Sequence, residues 1–474
     1  MIHSSPSKGG TLLVLPSYSA DPRTLASIDG LDSWPERQLI DLRELQLPDR
    51  RCLVVSPVPL SDICLDAVLE LLPAAQTRWL RGRLQCIALH DRSAQSLTEK
   101  LLARPQLLAD LQRQLPPGSR LSAYAIGPAE ERLAQHLQLC VDGTPHHLSH
   151  WGTKAGSAGL FQEIGIPHPR TTALCRTLGE LAEALEQLML EHPGITGVVI
   201  KLNRMAGGRG NAPLPLDLGG WRQRSEGLRR AQLLRALEQL PMPLPHWREE
   251  LQAEGAIAQE WIASRSPHSP SVQLWIDQQG SVALVSTHEQ CLGGIHRQSF
   301  EGCRFPASHR YRGALIAAGL RVGEALAAKG CRGSVLIDWL ATREGSAWTL
   351  WGMEINLRKG GTTHPFQLAA TATGGQLNSE TGELIGADGS GIVYEACDSW
   401  RLPKGKGLLP EQWLDAVIRR KLYFNRSRLS GCIPHRLGAL SEHGLLGVTA
   451  IGRNRREASA LMQQLQDVAA SLQN

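Results

Sequence analysis

Short aliphatic runs alternate with amphipathic stretches along the first third of the chain. TLLVLP (11–16), RCLVVSP (51–57), LQCIALH (84–90) and AYAIG (123–127) have the length and make-up of buried strands. Between them, SDICLDAVLELL (61–72) and SLTEKLLARPQLLADLQRQL (96–115) carry apolar residues at helical spacing, the second broken at Pro105. Strands that alternate with helices predict βαβ units and a mostly parallel sheet, an α/β fold. No G-x-G-x-x-G follows the first strand, so a dinucleotide fingerprint is absent.

The pattern breaks at VDGTPHHLSH (141–150). A short helix then carries Lys154 and leads into the extended, proline-rich QEIGIPHPRT (162–171). Thr177, with Glu180 three residues on, predicts a capped helix to about residue 190, with Leu178, Leu181, Leu185 and Leu188 on one face. GVVIKLN (197–203) follows as a strand, then the glycine-rich MAGGRGN (205–211) and a polar helical region to about residue 240. AIAQEWI (256–262), SVQLWID (271–277) and SVALVST (281–287) read as an antiparallel strand set. From about Gly375 the chain turns Gly- and Ser-rich, predicts a helix near 409–423, and ends in the amphipathic REASALMQQLQDVAASL (456–472). These breaks divide the chain into 1–146, 147–375 and 376–474, the last being a small third domain or a cap on the second. No solenoid or propeller repeat is present.

One strand carries chemistry. In WTLWGMEINLR (348–358) successive side chains alternate faces, so Glu354, Asn356 and Arg358 point one way and Met353, Ile355 and Leu357 the other, into a core. Asp338, in GSVLIDWLA (333–341), lies a short hairpin upstream. Hard oxygen ligands beside a guanidinium suit magnesium and phosphate. In GVVIKLN, Lys201 shares a face with Val199 and Asn203, and a buried lysine there needs an anionic partner. Gly207, Gly208 and Gly210 allow backbone amides to approach a phosphate, with Arg209 adding charge. The G-K-[ST] ending of a Walker loop is missing. The backbone of AQEWI can face an adenine edge, with Trp261 or Ile262 packing nearby.

At 474 residues the chain expects two or three domains. Its net charge of +5, without a Lys/Arg block, fits an anionic small molecule and argues against nucleic acid. Ten cysteines form no CxxC pair, which predicts reduced thiols; with no transmembrane span or signal peptide in view, a cytoplasmic location is expected. His146, His147 and His150 lack the carboxylate or cysteine company of a metal site. Cys291 and Cys303 show no activating pair beyond His288 and His296.

In order along the chain, these pieces resemble the ATP-grasp superfamily. WGTKAGSAGLFQEIGIPHPRT looks like its first lysine helix and "G-I-P-x-P" strand. VVIKLNRMAGGRGN looks like the second lysine strand and lid loop, AQEWI the adenine hinge, and GSVLIDWLA with WGMEINLRKGG the metal strands. The resemblance covers about residues 147–375. PSYSADPRTL and the C-terminal tract are more narrowly similar to peptide ligases of the pheganomycin type. The resemblance implies a Rossmann-like pre-ATP-grasp domain (1–146), an ATP-grasp core of two subdomains clasping ATP (147–375, α+β, lid about 170–262) and a C-terminal extension (376–474). It implies that Lys154, Lys201, Gly207, Gly208 and Gly210 bind ATP phosphates and that Glu260, Trp261 and Ile262 form the hinge. Asp338, Glu354 and Asn356 then bind Mg2+ (or Mn2+), and Arg358 the transferring phosphate.

Two departures stand out. SRSPHSPSV (264–272) offers no acidic ribose ligand, and Leu336 stands where some members place an arginine, so Arg297 or Arg304 is expected to stabilise the acyl phosphate. The implied activity is an ATP-dependent carboxylate–amine ligase that forms an amide or peptide bond through an acyl phosphate. The expected partners are a small-molecule acid and an amine, an amino acid or peptide, with a homo-oligomer open and no membrane. The alternatives are a non-catalytic ATP-binding regulatory module and a small-molecule kinase.

Overall fold

The computed structural model describes residues 10–72, 77–205, 207–216, 220–241, 244–294, 299–402 and 404–472. The N-terminal strands β1 (Thr11–Leu15), β2 (Arg51–Ser56), β3 (Leu84–Ala88), β4 (Arg120–Ala123) and β5 (Cys140–Val141) form one sheet in the order β3-β2-β1-β4-β5. Every pairing in it is parallel, as the alternating pattern predicts. β1 is buried along its whole length because both faces are covered. Leu13 and Leu15 pack with Leu97, Leu101, Leu108 and Leu111 of the helices on one side. Leu12 and Val14 join a core on the other side that contains Tyr394, Trp413 and Val448 of the C-terminal tract.

Helix ends follow the capping signals. The Ser61 and Ser96 hydroxyls accept from the N–H groups of Cys64 and Glu99. Pro105 starts a new helix, Pro105–Gln114, where it has no N–H to satisfy. The fourth strand is displaced from its expected place. It is Arg120–Ala123, and residues 124–127 lie beyond it. Arg120 is buried in the strand because Glu44 and Asp142 take its guanidinium at 2.9 and 3.1 Å, and such pairing is invisible to hydropathy. A succession of 3-10 turns over Leu31–Gln46 was also not predicted.

A second unit is built on β6 (Gly197–Leu202), β7 (Asn211–Pro215) and β8 (Ala256–Glu260), an antiparallel sheet in the order β7-β6-β8. Helices Leu178–Glu191, Glu226–Gln239 and Trp247–Glu254 cover it, and Leu185, Ile200, Leu233 and Trp247 share its core. Thr177 caps the first of these helices. Its Oγ1 accepts from the Glu180 N–H at 3.1 Å while the Glu180 carboxylate reaches back to the Arg176 N–H at 2.7 Å. AIAQE therefore belongs to this sheet and not with the two strands that follow it. β7 was missed because it carries Pro213 and Pro215, which an edge strand tolerates.

The largest sheet contains β9 (Pro270–Ile276), β10 (Val282–Gly293), β11 (Ser299–Phe305), β12 (Gly333–Glu344), β13 (Ala347–Asn356), β14 (Gln376–Leu377), β15 (Leu384–Ile385), β16 (Gly391–Arg401), β17 (Gly431–His435) and β18 (Leu445–Gly452). Its order is β13-β12-β9-β10-β11-β16-β15-β14, with β18 on β16 and β17 on β18. The tract after residue 375 thus continues the sheet of the central unit through the β11–β16 pairing. Helix Arg455–Leu472 closes the chain against β18 and β16. Helix Lys154–Glu163 lies under β13, where Ser157 Oγ accepts from the Ile355 N–H at 2.9 Å. Among the described residues, no helix is long and apolar enough to cross a membrane.

Candidate active site

The three sheets surround a cleft of about 1470 Å3. Its floor is the β12–β13 hairpin. Asp338 pairs directly with Glu354 across it, and the register slips at the next step, where Trp339 faces Gly352. Met353 is the extra residue of this bulge. A bulge re-aims side chains, so Met353 lines the cleft instead of entering the core as its parity predicts. Ile355 does enter the core, and Glu354 and Asn356 face the cleft. β13 ends at Asn356, yet Arg358 turns back. Its Nη2 donates to Asn356 Oδ1 at 2.7 Å and its Nη1 to the Tyr124 hydroxyl at 3.1 Å.

Asp338 accepts from Asn356 Nδ2 at 3.0 Å and from Gln290 Nε2. Burial, with the Glu354 carboxylate second, pushes its carboxyl up to about 6. Two facing carboxylates and an amide form a hard oxygen set, and their mutual repulsion is what a divalent cation would relieve. The donor set therefore fits Mg2+.

Two buried lysines stand near this hairpin. Lys201, buried on β6, donates to Gln259 Oε1 on β8, and burial pushes its ammonium down to about 8. Lys154, first residue of its helix, is also buried. It does not line the cleft: it donates to the Met205 carbonyl and sits 3.4 Å from Glu354 Oε1, tying the glycine-rich loop to β13. Gly207 and Gly208 adopt φ of +66° and +75°, which a glycine accepts without strain, and both line the cleft. Gly210 sits at the neck of the turn, where its carbonyl accepts from the Leu202 N–H at 3.2 Å.

The end of β8 reaches the cleft at Glu260, Trp261 and Ile262. The Glu260 and Trp261 N–H groups are taken by the carbonyls of Arg170 and Gly197 at 2.8 and 2.9 Å, and Arg170 holds the Glu260 carboxylate at 3.1 Å. Trp261 is 44% exposed. In the following loop, Arg265 and His268 line the cleft. The carboxylate on that side is Glu289, held by the Tyr311 hydroxyl and, at 2.8 Å, by the Ser308 N–H. Arg304 also lines the cleft and pairs with Glu395 at 3.2 Å. Arg297 lies outside the described residues.

The fourth wall comes from residues to which the sequence assigned no role, although Tyr18 lies within PSYSADPRTL. Tyr18, Trp34 and Tyr124 of the N-terminal unit pack with ring centroids 5.7–5.8 Å apart, and Arg37 lies 3.9 Å above Trp34. Lys359 reaches Asp41 at 2.6 Å, a buried pair that joins the N-terminal unit to the loop after β13. The candidates discounted from sequence have structural settings. His288 is in the core with its Nε2 2.6 Å from the Tyr394 hydroxyl, and burial pushes the Cys291 and Cys303 thiols up, away from the nucleophilic thiolate. All ten cysteines are free.

The model of the IQCH-like ATP-grasp family matches residues 145–217, which span both lysines and the glycine loop. Solved structures resemble the whole chain. An ADP complex of N5-carboxyaminoimidazole ribonucleotide synthetase superposes with a TM-score of 0.53 at 15% identity, covering 98% of both chains. The biotin carboxylase of Campylobacter jejuni superposes at 0.57 and 15% identity, covering 96% of this chain and 90% of that one. The chain has the ATP-grasp fold. Among curated proteins, the chain is 27% identical to L-propargylglycine–L-glutamate ligase of Streptantibioticus cattleyicolor over 470 residues, 97% of this chain and 94% of the relative. It is 24% identical to IQ motif-containing protein H of Danio rerio over 426 residues, 79% of this chain but 40% of that longer protein.

Proposed function

We propose that the chain is an ATP-dependent carboxylate–amine ligase that joins amino acids or peptides. The observation that carries this reading is the facing pair Asp338–Glu354, with Asn356 and Arg358, set opposite Lys201 and the glycine loop in one cleft. The curated relative that matches nearly the full length is named as a ligase of two amino acids, which supports the same class.

In this reading Glu260, Trp261 and Ile262 hold the adenine, with the exposed Trp261 ring as a packing surface. Lys201 binds the polyphosphate, and Lys154 joins it by leaving Glu354. Gly207, Gly208 and Gly210 let the lid close over the phosphates and exclude water, which protects an acyl phosphate from hydrolysis. Asp338, Glu354 and Asn356 would hold Mg2+ or Mn2+, which would supply positive charge to screen the transferring phosphoryl group. Arg358 supplies further positive charge beside it, and Arg304 or Arg297 adds to it at the acid. No nucleophilic side chain is needed, because positioning and electrostatics lower the barrier. The free cysteines suit a reducing compartment, and we place the reaction in the cytoplasm.

The test is a screen of amino-acid pairs, starting with L-glutamate as one member, for ADP release with mass spectrometry of the products. The expected result is equal ADP and phosphate and a product that has lost one water. AMP and pyrophosphate would overturn it, and a stable phosphoproduct made without an amine would identify a kinase. Glu354→Ala is expected to lower Mg·ATP turnover by about 10^2–10^3-fold; unchanged turnover would show that the metal assignment is wrong.

A further inference from the structure

Four polar side chains from four separate parts of the chain meet beside the cleft, three of them (Arg37, His364 and Asp398) in its wall, and the phosphate chemistry uses none of them. His364 is the second residue of helix Thr363–Thr373, six residues beyond Arg358, and lines the same cleft. Asp398 lies on β16, His435 on β17 and Arg37 in the 3-10 segment; all four are at most 9% exposed. His364 Nε2 faces Asp398 Oδ1 at 3.3 Å, an ion-pair separation short of hydrogen-bond geometry, and neither atom has a hydrogen-bond partner among the described residues. The other carboxylate oxygen of Asp398 is held by Arg37 Nη2 at 2.7 Å. The His435 ring stands edge-on to His364 at 4.6 Å.

His364, Asp398 and His435 are grouped closely enough to be considered as metal ligands. Their surroundings oppose it. The Arg37 guanidinium is already on Asp398, and that of Arg436 reaches Ser399 beside it at 3.0 Å. Burial holds His364 below the usual imidazole range even though Asp398 opposes the shift, and holds His435 well below it. The group is therefore a neutral imidazole oriented by an anchored carboxylate, with Nε2 turned to Asp398 and Nδ1 left for a ligand in the cleft.

A ligase of the kind proposed above has a chemical need at this place. Its amine arrives as an ammonium and cannot attack until it loses a proton. We propose that His364 is the proton acceptor for the attacking amine and that Asp398, fixed by Arg37, is its positioning residue. The inference rests on the ligase reading. The ammonium gives one proton to His364 Nδ1, and its lone pair then forms the C–N bond at the acyl-phosphate carbonyl. The C–O bond to phosphate breaks with its electron pair going to phosphate, which leaves carrying the second N–H proton.

Hydroxylamine separates the two steps, because it is unprotonated at neutral pH and attacks acyl phosphates without a base. With the acid found in the ADP screen, wild type is expected to release ADP with either the amino-acid amine or hydroxylamine. In His364→Gln, amide formation is expected to fall by about 10^2–10^4-fold while hydroxamate formation stays within about threefold. Asp398→Asn is expected to show the same split, and it serves as the test if His364→Gln does not fold. Parallel loss of both products would mark a structural role and overturn the proposal, as would no loss of either. One zinc per wild-type chain that is absent from the variant would also overturn it, in favour of a metal site. Wild type that gives ADP with neither nucleophile, whatever the acid, would instead remove the ligase reading itself.

Discussion

Lys201 stands in the middle of an apolar strand, and its hydrogen bond goes to a neutral amide, Gln259. Burial therefore lowers its basicity to about 8, with Glu354 opposing the shift and Lys154 reinforcing it. The free protein bears the cost of this charge in full below pH about 8 and sheds it as pH rises toward the unfolded lysine value of about 10.4. A bound polyphosphate reverses the effect by favouring the ammonium. ADP affinity is thus expected to be flat below pH about 8 and to fall above it. Between pH 8 and 9, binding should take up part of one proton, measured by calorimetry in two buffers of different ionisation heat, and Lys201→Met should abolish the uptake. The residue and its strand were legible in the sequence, since a lysine inside GVVIKLN has no solvent to reach. Its partner Gln259 was not, because the β6–β8 pairing that brings them together spans 58 residues.

At the scale of elements, the β6–β7 turn separates two kinds of glycine. A Cβ at Gly210 would come within 2.8 Å of Leu202 Cβ and 2.9 Å of Met205 Cβ, so the hairpin neck would have to open. Gly207 has no neighbour within 4 Å of such an atom, and only its φ of +66° resists a side chain. Gly210→Ala is expected to cost about 1–3 kcal/mol of stability and to weaken ADP binding, against about 1 kcal/mol for Gly207→Ala. Thermal unfolding and ADP titration of both variants check the order. The sequence marked the loop as glycine-rich but could not rank its members, because rank depends on which atoms the turn brings near. The β12–β13 hairpin teaches the same lesson. Strict alternation places Glu354, Asn356 and Ile355 correctly, and the bulge alone turns Met353 into the cleft.

At the scale of the whole molecule, the cleft is closed by ion pairs between distant parts of the chain. Lys359–Asp41 and Arg37–Asp398 each join the 3-10 segment of the N-terminal unit to a later one. Burial alone would raise the Asp41 carboxyl, and Lys359 overrides it, so the folded-state value lies below the usual one. The pair therefore stabilises the fold above the ordinary aspartate range of about 4, and this contribution is lost as pH falls through the folded-state value. Lys359→Ala leaves a buried carboxylate with the Ser122 hydroxyl and the Gln38 amide but without its lysine, and is expected to cost about 3–5 kcal/mol in chemical denaturation at pH 7. In Lys359→Ala/Asp41→Asn, where no charge is stranded, most of that loss should return, and the two results together separate the pair from simple loss of packing.

The sequence by itself determined the strand and helix character of most elements, the parallel N-terminal sheet, and the order along the chain of Lys154, Lys201, the glycine loop, AQEWI and the strands of Asp338 and Glu354. Those features are written in short periods, two residues for a strand and between three and four for a helix, so a single chain displays them. Tertiary structure alone decided that AIAQE leaves its neighbours for the sheet of β6 and β7, that Lys154 is tied to Glu354 and Met205, and that the tract after residue 375 extends the central sheet. It also decided that Tyr18, Trp34 and Arg37 meet Arg358 and His364 around one cleft. These outcomes depend on partners up to several hundred residues apart, and burial, charge pairing and register between such partners have no local signature in the chain.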